Sequence, residues 1–299
     1  MIFCENHMIR AIINADDFGL SRGINDGILL AHQKGILTSA TLMANMPGFD
    51  HAVGLAKDNP RLGVGIHLNI VRGKPLSPPD AVSTLITPEG LFPADMPLFL
   101  RKIRKKSVRP EEIELEFRAQ IEKTLAAGVR ISHLDSEKHA HTIPLVFGTA
   151  LKLAAEYNIR RIRFINEVCL SLPLAQSLKS WLISYWCSSM KKKIRKSGIM
   201  ITDRFYGLCK SGRMNAARLK IILKSLGEGT AEIMVHPGFV TPEMADLEPL
   251  IGSYYINKFR EAELKALLDD GLMEIVRARD IRLINFHELR DDGQYKTEA

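Results

Sequence analysis

Short apolar runs alternate with amphipathic stretches along almost the whole chain. The runs at 11–13, 36–44, 62–70, 129–134, 161–165, 199–203, 231–235 and 281–284 are too short for helices and read as strands. Between them, 21–35, 50–57, 110–127, 144–157, 214–226 and 256–268 carry helical patterning. The helix at 110–127 opens on Pro110 and stops at Gly128, as a first-turn proline and a terminal glycine should. About seven β/α units in one unbroken alternation predict an α/β fold with a mainly parallel sheet, either barrel or open. No linker divides it, so one domain is expected over 9–290. Residues 1–8 read as a leader and 291–299 as a polar tail. The Pro-, Gly- and Ser-rich stretch 72–97 reads as a long functional loop, and 102–109 as a solvated basic run.

Polar residues gather where apolar strands end. Asp16 and Asp17 follow the first strand side by side, although like charges repel and burial raises the cost of each. A divalent cation or a shared proton removes that cost. The plainer alternative is a turn cap, a common use of Asp. His67 lies on a strand with Gly63 and Gly65. Asp135, Glu137, His139 and His141 follow the fourth strand, and His236 follows a later one. Strand ends of a barrel converge in space, so these residues can form one site. One Asp, one His and a further Glu or His make a three-ligand metal site with room for water. A carboxylate beside the ion can take a proton and a distant His can return it to a leaving amine. Amide hydrolysis needs such a set, and phosphoester hydrolysis can use a similar one.

One helix stands apart. Over 172–196, Leu178, Trp181, Leu182, Tyr185 and Trp186 form an apolar stripe, and Lys191, Lys192, Lys193, Arg195 and Lys196 follow. An aromatic amphipathic helix joined to a basic cluster suits a membrane interface. A helix packed on the core, followed by a solvated basic stretch, is the other reading.

Composition narrows the class. With 299 residues, 46% hydrophobic and 25% charged, the chain has enough apolar content for a large core. A net charge of +7 allows attraction to an acidic partner. No nucleic-acid motif accompanies it, so anionic lipid is the better partner and nucleic acid is not expected. The scattered Cys4, Cys169, Cys187 and Cys209 suggest neither a zinc knuckle nor a disulfide scaffold, and fit a reducing cytoplasm. No run of ~20 apolar residues would span a membrane. The expected location is cytoplasmic, with peripheral contact at the inner membrane face.

Four ordered motifs carry a resemblance: Asn14 to Gly19, Gly65 to Asn69, His133 to His141, and Val235 to Gly238. Together they resemble the YdjC-like carbohydrate deacetylases, over about residues 9–288. The resemblance implies a distorted TIM-like β/α barrel, a divalent ion (magnesium or zinc) and removal of an acetyl group from an N-acetylated amino sugar. It implies Asp16 as general base, Asp17 and His67 as metal ligands, and His236 as general acid. Many members have His where this chain has Glu137. Glu137 is the expected third ligand, with His139 or His141 as substitutes and Asp135 nearby. The 202–208 segment, Glu137 and the aromatic-basic helix are most similar to the hopanoid biosynthesis-associated branch, whose implied substrate is an N-acetylglucosaminyl group on a polycyclic lipid. Arg204 and Tyr206 are then expected sugar contacts, and Trp181, Trp186 and Lys191 to Lys193 lipid or membrane contacts. A homodimer is a further candidate. The competing readings are a chitooligosaccharide deacetylase and a non-catalytic lipid- or glycan-binding scaffold.

Overall fold

The computed structural model describes residues 8–94, 96–167, 174–252 and 257–290. The expected leader up to residue 7, the tail, Cys4, Cys169 and the predicted helix starts at 172 and 256 lie outside the described residues. The central strand is β1 (Ile9–Phe18). It is flanked in parallel by β2 (Ser39–Leu42) and β6 (Gly229–Val235), and β7 (Arg282–Leu283) pairs with its first half. Beyond β2 lie β3 (Gly63–Leu68) and β4 (Leu134–Ser136), and beyond β6 lies β5 (Arg204–Tyr206). Isolated parallel bridges, Leu134 with Ile162 and Arg161 with Met200, carry the pairing from β4 toward the residues that lead into β5. The result is a curled, half-barrel parallel sheet in a single α/β domain, as the alternation of patterns predicts.

The crossovers contain α1 (Arg22–Lys34), α2 (Phe49–Asp58), α4 (Pro110–Ala126), α5 (Pro144–Glu156) and α7 (Ala216–Ser225). α3 (Met96–Arg104) lies in what reads as loop and basic run, so the functional loop is shorter than expected. α6 (Leu174–Ser197) precedes β5. α8 (Glu248–Ile251), α9 (Phe259–Leu267) and α10 (Asp270–Ala278) close the chain. The sequence pattern gives no warning of α10, because it follows α9 almost without a break. Its Leu272 and Val276, four apart on one face, are buried. Among the described residues no helix is long and apolar enough to cross a membrane. Cys209 is disulfide-bonded, which the scattered cysteine spacing does not suggest, while Cys187 is a buried free thiol.

Side-chain alternation sorts β1 into two faces. Ala11, Ile13 and Ala15 join the apolar layer shared with α1, α7, α9 and α10. Ile12 instead packs with Ile284, Phe286 and Leu289, which plug one end of the curl. His133 stacks on Phe286 with ring centroids 3.6 Å apart. A Cβ on Gly65 would lie 2.3 Å from that imidazole, so Gly65 makes room for the plug. Asn14 and Asp16 continue the interior face toward the carboxyl end, where the site forms.

Candidate active site

Alternation would send Asp16 and Asp17 to opposite faces. It is broken by a bulge: pairing of β1 with β2 shifts register between Ala15 and Phe18, and Asp17 has φ 69°. A bulge beside a strand end re-aims a side chain. Both carboxylates therefore reach one cleft, lined also by His67, Glu137, Lys138, His139, Leu208, Ser211, Met234 and His236.

Two ion clusters share this cleft. In the first, His67 Nδ1 meets Asp135 Oδ1 at 2.7 Å, from neighbouring register positions on β3 and β4. The acceptor is a carboxylate, so Nδ1 carries the hydrogen and Nε2 faces the cleft. Nε2 lies 4.0 Å from Asp17 Oδ1 and 3.5 Å from Glu137 Oε2. The other oxygen of each carboxylate is held from outside. Arg260 Nη2 donates to Asp17 Oδ2 at 2.6 Å, and Arg72 Nε donates to Glu137 Oε1 at 2.9 Å. Asn69 shapes the turn that presents Arg72, its Oδ1 accepting from the amides of Val71 and Arg72. Burial pushes the imidazole of His67 toward neutrality, but Asp135, Glu137 and Asp16 outweigh it and raise its pKa well above the ordinary value. Burial raises Glu137 as well, yet His67, Arg72 and Lys138 pull it well below the carboxylate range.

The second cluster centres on Arg163, a fully buried guanidinium. Its Nη2 and Nη1 donate to both oxygens of Asp16 at 2.7 and 2.8 Å, and its Nε donates to Glu232 Oε1 at 2.7 Å. Asp135 Oδ2 lies 2.7 Å from Nη1. Burial would raise Asp16, but Arg163 overrides it and holds the carboxyl far below its usual range. One positive charge cannot satisfy three carboxylates. Glu232 is the one left short: burial pushes it up to about 7 despite Arg163.

The donor chemistry tells the clusters apart. Asp17, His67 and Glu137 offer ligand atoms within 4.8 Å of one another, as do Asp16, His67 and Asp135. In the latter set Arg163 and His67 Nδ1 already take the donor atoms. In the former, each ligand is fixed on its far side and presents its near atom to a shared point. Two carboxylate oxygens and an imidazole nitrogen fit a borderline or hard divalent ion.

Other expected residues fare differently. His236 is near, with Nε2 4.0 Å from Asp16 Oδ2 and its backbone amide donating to Glu263 Oε2 at 2.6 Å. His139 lines the cleft edge-on to Phe205. His141 is turned away: its Nδ1 meets Ser136 Oγ at 2.7 Å and its Nε2 meets the Arg163 carbonyl at 3.2 Å. Burial lowers its pKa to about 3, so it is a neutral, structural imidazole and not a substitute ligand. Arg204 is also displaced from its expected role as a sugar contact. Its guanidinium donates to the carbonyls of Gly227 and Glu228. Phe205 turns inward against Arg163, so Arg204 and Tyr206 fall on the opposite face, where Tyr206 packs on the outer core.

α6 corrects the stripe drawn through it. Ile183, Cys187, Met190 and Ile194 are buried, one helical face along from the tryptophans. Leu178, Trp181 and Tyr185 are 66%, 54% and 57% exposed, and the two rings stack at 5.6 Å. Trp186 instead joins Leu182 and Ile183 in lining a cavity of about 530 Å³, together with Met96, Leu100 and Ile143. Lys191, Lys192 and Lys193 are exposed.

Arg72, Arg163, Arg260, Glu232 and Glu263 escape a reading based on strand ends. Only Glu232 carries a signal, as a lone charge inside the apolar run 231–235; Arg163 is masked by the neighbouring Arg160 and Arg161.

The profile of the YdjC-like protein family matches residues 10–278. A carbohydrate deacetylase of Brevibacillus brevis is 36% identical over 282 residues, 94% of this chain and 100% of that one. A carbohydrate deacetylase of Thermoanaerobacter pseudethanolicus is 34% identical, covering 93% of this chain and 98% of its own. A crystal structure from Enterococcus faecalis, described as a cellobiose-phosphate cleavage protein, superposes with a TM-score of 0.74 at 25% identity, over 93% of this chain and 98% of that one.

Proposed function

The chain belongs to the YdjC-like family, and on that footing we propose that it is a metal-dependent hydrolase that removes the acetyl group from an N-acetylated amino sugar. The observation that carries this reading is the convergence of Asp17, His67 and Glu137, whose ligand atoms lie within 4.8 Å of one another while Arg260, Asp135 and Arg72 hold their far sides. Magnesium or zinc held by these three residues would supply Lewis-acid polarisation of the acetyl carbonyl.

The remaining chemistry belongs to Asp16 and His236. Water adds to the acetyl carbon, the carbon–nitrogen bond breaks, and the amine leaves with an added proton. Asp16 is ionised and faces the cleft, so it is the acceptor for the water's proton. Arg163 makes it a weak base, which favours passing that proton on. His236, whose Nε2 lies 4.0 Å from Asp16 Oδ2, would close on it to receive that proton and deliver it to the amine. Glu263 fixes the His236 backbone.

The finer reading is a lipid-linked substrate such as N-acetylglucosaminyl hopanoid. The apolar cavity beside the cleft supports it, as does the exposed Trp181–Tyr185 pair beside Lys191 to Lys193. This face would rest on an anionic membrane surface while Trp186 lines the space for the apolar body. A chitooligosaccharide is the competing substrate, and it would make no use of the apolar cavity or the exposed aromatic pair.

The test is acetate release from N-acetylglucosaminyl hopanoid and from chitobiose, with metal content read on the same sample. Release from the lipid alone, with about one ion per chain, is the expected result. Release from chitobiose alone would move the substrate to soluble glycans. Metal without acetate would favour a phosphoester, and neither would leave a binding scaffold.

A further inference from the structure

Lys138 and His139 are consecutive non-glycine residues in left-handed backbone, with φ 52° and 59°. An L side chain in that region is disfavoured, and two in succession are uncommon outside glycine or asparagine turns. Such strain persists where the surrounding structure over-determines it, and it gathers at functional sites. These two residues also occupy a particular place. Both line the polar cleft that holds Asp16, Asp17 and His236, and both line the apolar cavity bounded by Leu182, Ile183 and Trp186. They are the boundary between the two spaces, immediately after Glu137.

We infer that Lys138 is a substrate-positioning residue, held by this strained turn so that its ammonium donates hydrogen bonds to the oxygens joining the acetylated sugar to the group in the cavity. The inference rests on the sugar deacetylase reading and adds a contact to it. With the acetamido group at the metal-ligand end of the cleft and an attached group in the cavity, the linkage passes between Lys138 and His139. A linkage oxygen, which has no hydrogen of its own, can only accept a hydrogen bond there, and an ammonium offers three donors. The same turn carries Glu137 toward His67, so one local distortion sets both a ligand and a substrate contact.

Two substitutions separate this role from a structural one. Lys138→Met keeps the backbone strain and removes the ammonium. Lys138→Gly removes the ammonium and relaxes the strain, since glycine adopts positive φ freely. The substrate is an alkyl N-acetylglucosaminide, and acetate release, bound metal and thermal midpoint are measured together. The expected result is a KM raised roughly tenfold in both variants, as for loss of one charged hydrogen bond. The fall in kcat should be smaller, metal content unchanged, and the thermal midpoint raised in Lys138→Gly alone. An unchanged KM in both variants would overturn the inference while leaving the deacetylase reading intact. A lowered midpoint with lost metal in Lys138→Gly would make the turn purely structural and overturn it too. No acetate release by the unaltered protein would remove the parent reading and this inference with it.

Discussion

The two buried ion clusters of this site are built from the same residue types and sit within one cleft, yet they are opposite in design. Around Arg163 the cation is part of the protein, and Asp16, Asp135 and Glu232 close on it. Around His67 the outer oxygens of Asp17 and Glu137 are tied back by Arg260 and Arg72, and their inner oxygens converge with the imidazole on the point where the proposed cation would be held. The lesson is that a cluster of acids is a poor guide to metal binding on its own. What distinguishes a ligand set is whether a fixed protein cation or a convergence of ligand atoms occupies its centre.

Removing the built-in cation is the harshest way to break the contrast. Arg163→Met leaves the buried carboxylates of Asp16, Asp135 and Glu232 without their shared guanidinium and is expected to cost about 3–5 kcal/mol of stability, seen in chemical denaturation. Asp16→Asn belongs to the same cluster but acts on chemistry. Turnover should fall by about 10²–10⁴-fold, while metal content is retained. A variant that kept full turnover would show that another group takes the proton.

Glu232 gives the closed cluster a pH signature. Its folded pKa is raised above 4.5, to about 7. Its contribution is therefore complete below about 4.5 and is lost as pH rises through about 7, on the order of 3 kcal/mol at 1.36 kcal/mol per unit. Glu232→Gln should flatten that part of the stability–pH curve, and an unchanged slope would place the charge imbalance elsewhere. For the open cluster, Arg260→Met should weaken metal affinity by about 10–100-fold, as loss of a ligand's anchoring partner does. Competition with a chelator of known affinity measures it. The smallest effect is expected at α6. Replacing Trp181 and Tyr185 by Ser should change stability by less than about 1 kcal/mol, because both are exposed, and should lower binding to anionic vesicles if this face meets a membrane.

The fold was legible because a parallel α/β sheet writes its strands as apolar runs separated by helices. Several runs miss the strands they predict: 36–44 and 62–70 overrun β2 and β3, 129–134 meets β4 only at Leu134, 161–165 makes only isolated bridges, and β5 begins just after the run at 199–203. The ends of strands pointed correctly to Asp16, Asp17, His67, Glu137 and His236 as neighbours. The clamping arginines were not legible, since Arg72 lies in a loop and Arg260 in a helix far along the chain, and only folding brings them to Glu137 and Asp17. Arg204 misled because the inward and outward faces of a three-residue strand cannot be told apart without its partners. On α6 an apolar stripe at helical spacing is present twice, and the sequence does not say which one faces the core.

The most direct test is metal stoichiometry of the stripped and reloaded protein beside Glu137→Ala and Asp16→Asn. About one ion per chain in the unaltered protein and in Asp16→Asn, with loss in Glu137→Ala, is the predicted result. Retention in Glu137→Ala with loss in Asp16→Asn would place the ion in the cluster assigned here to Arg163 and contradict the account.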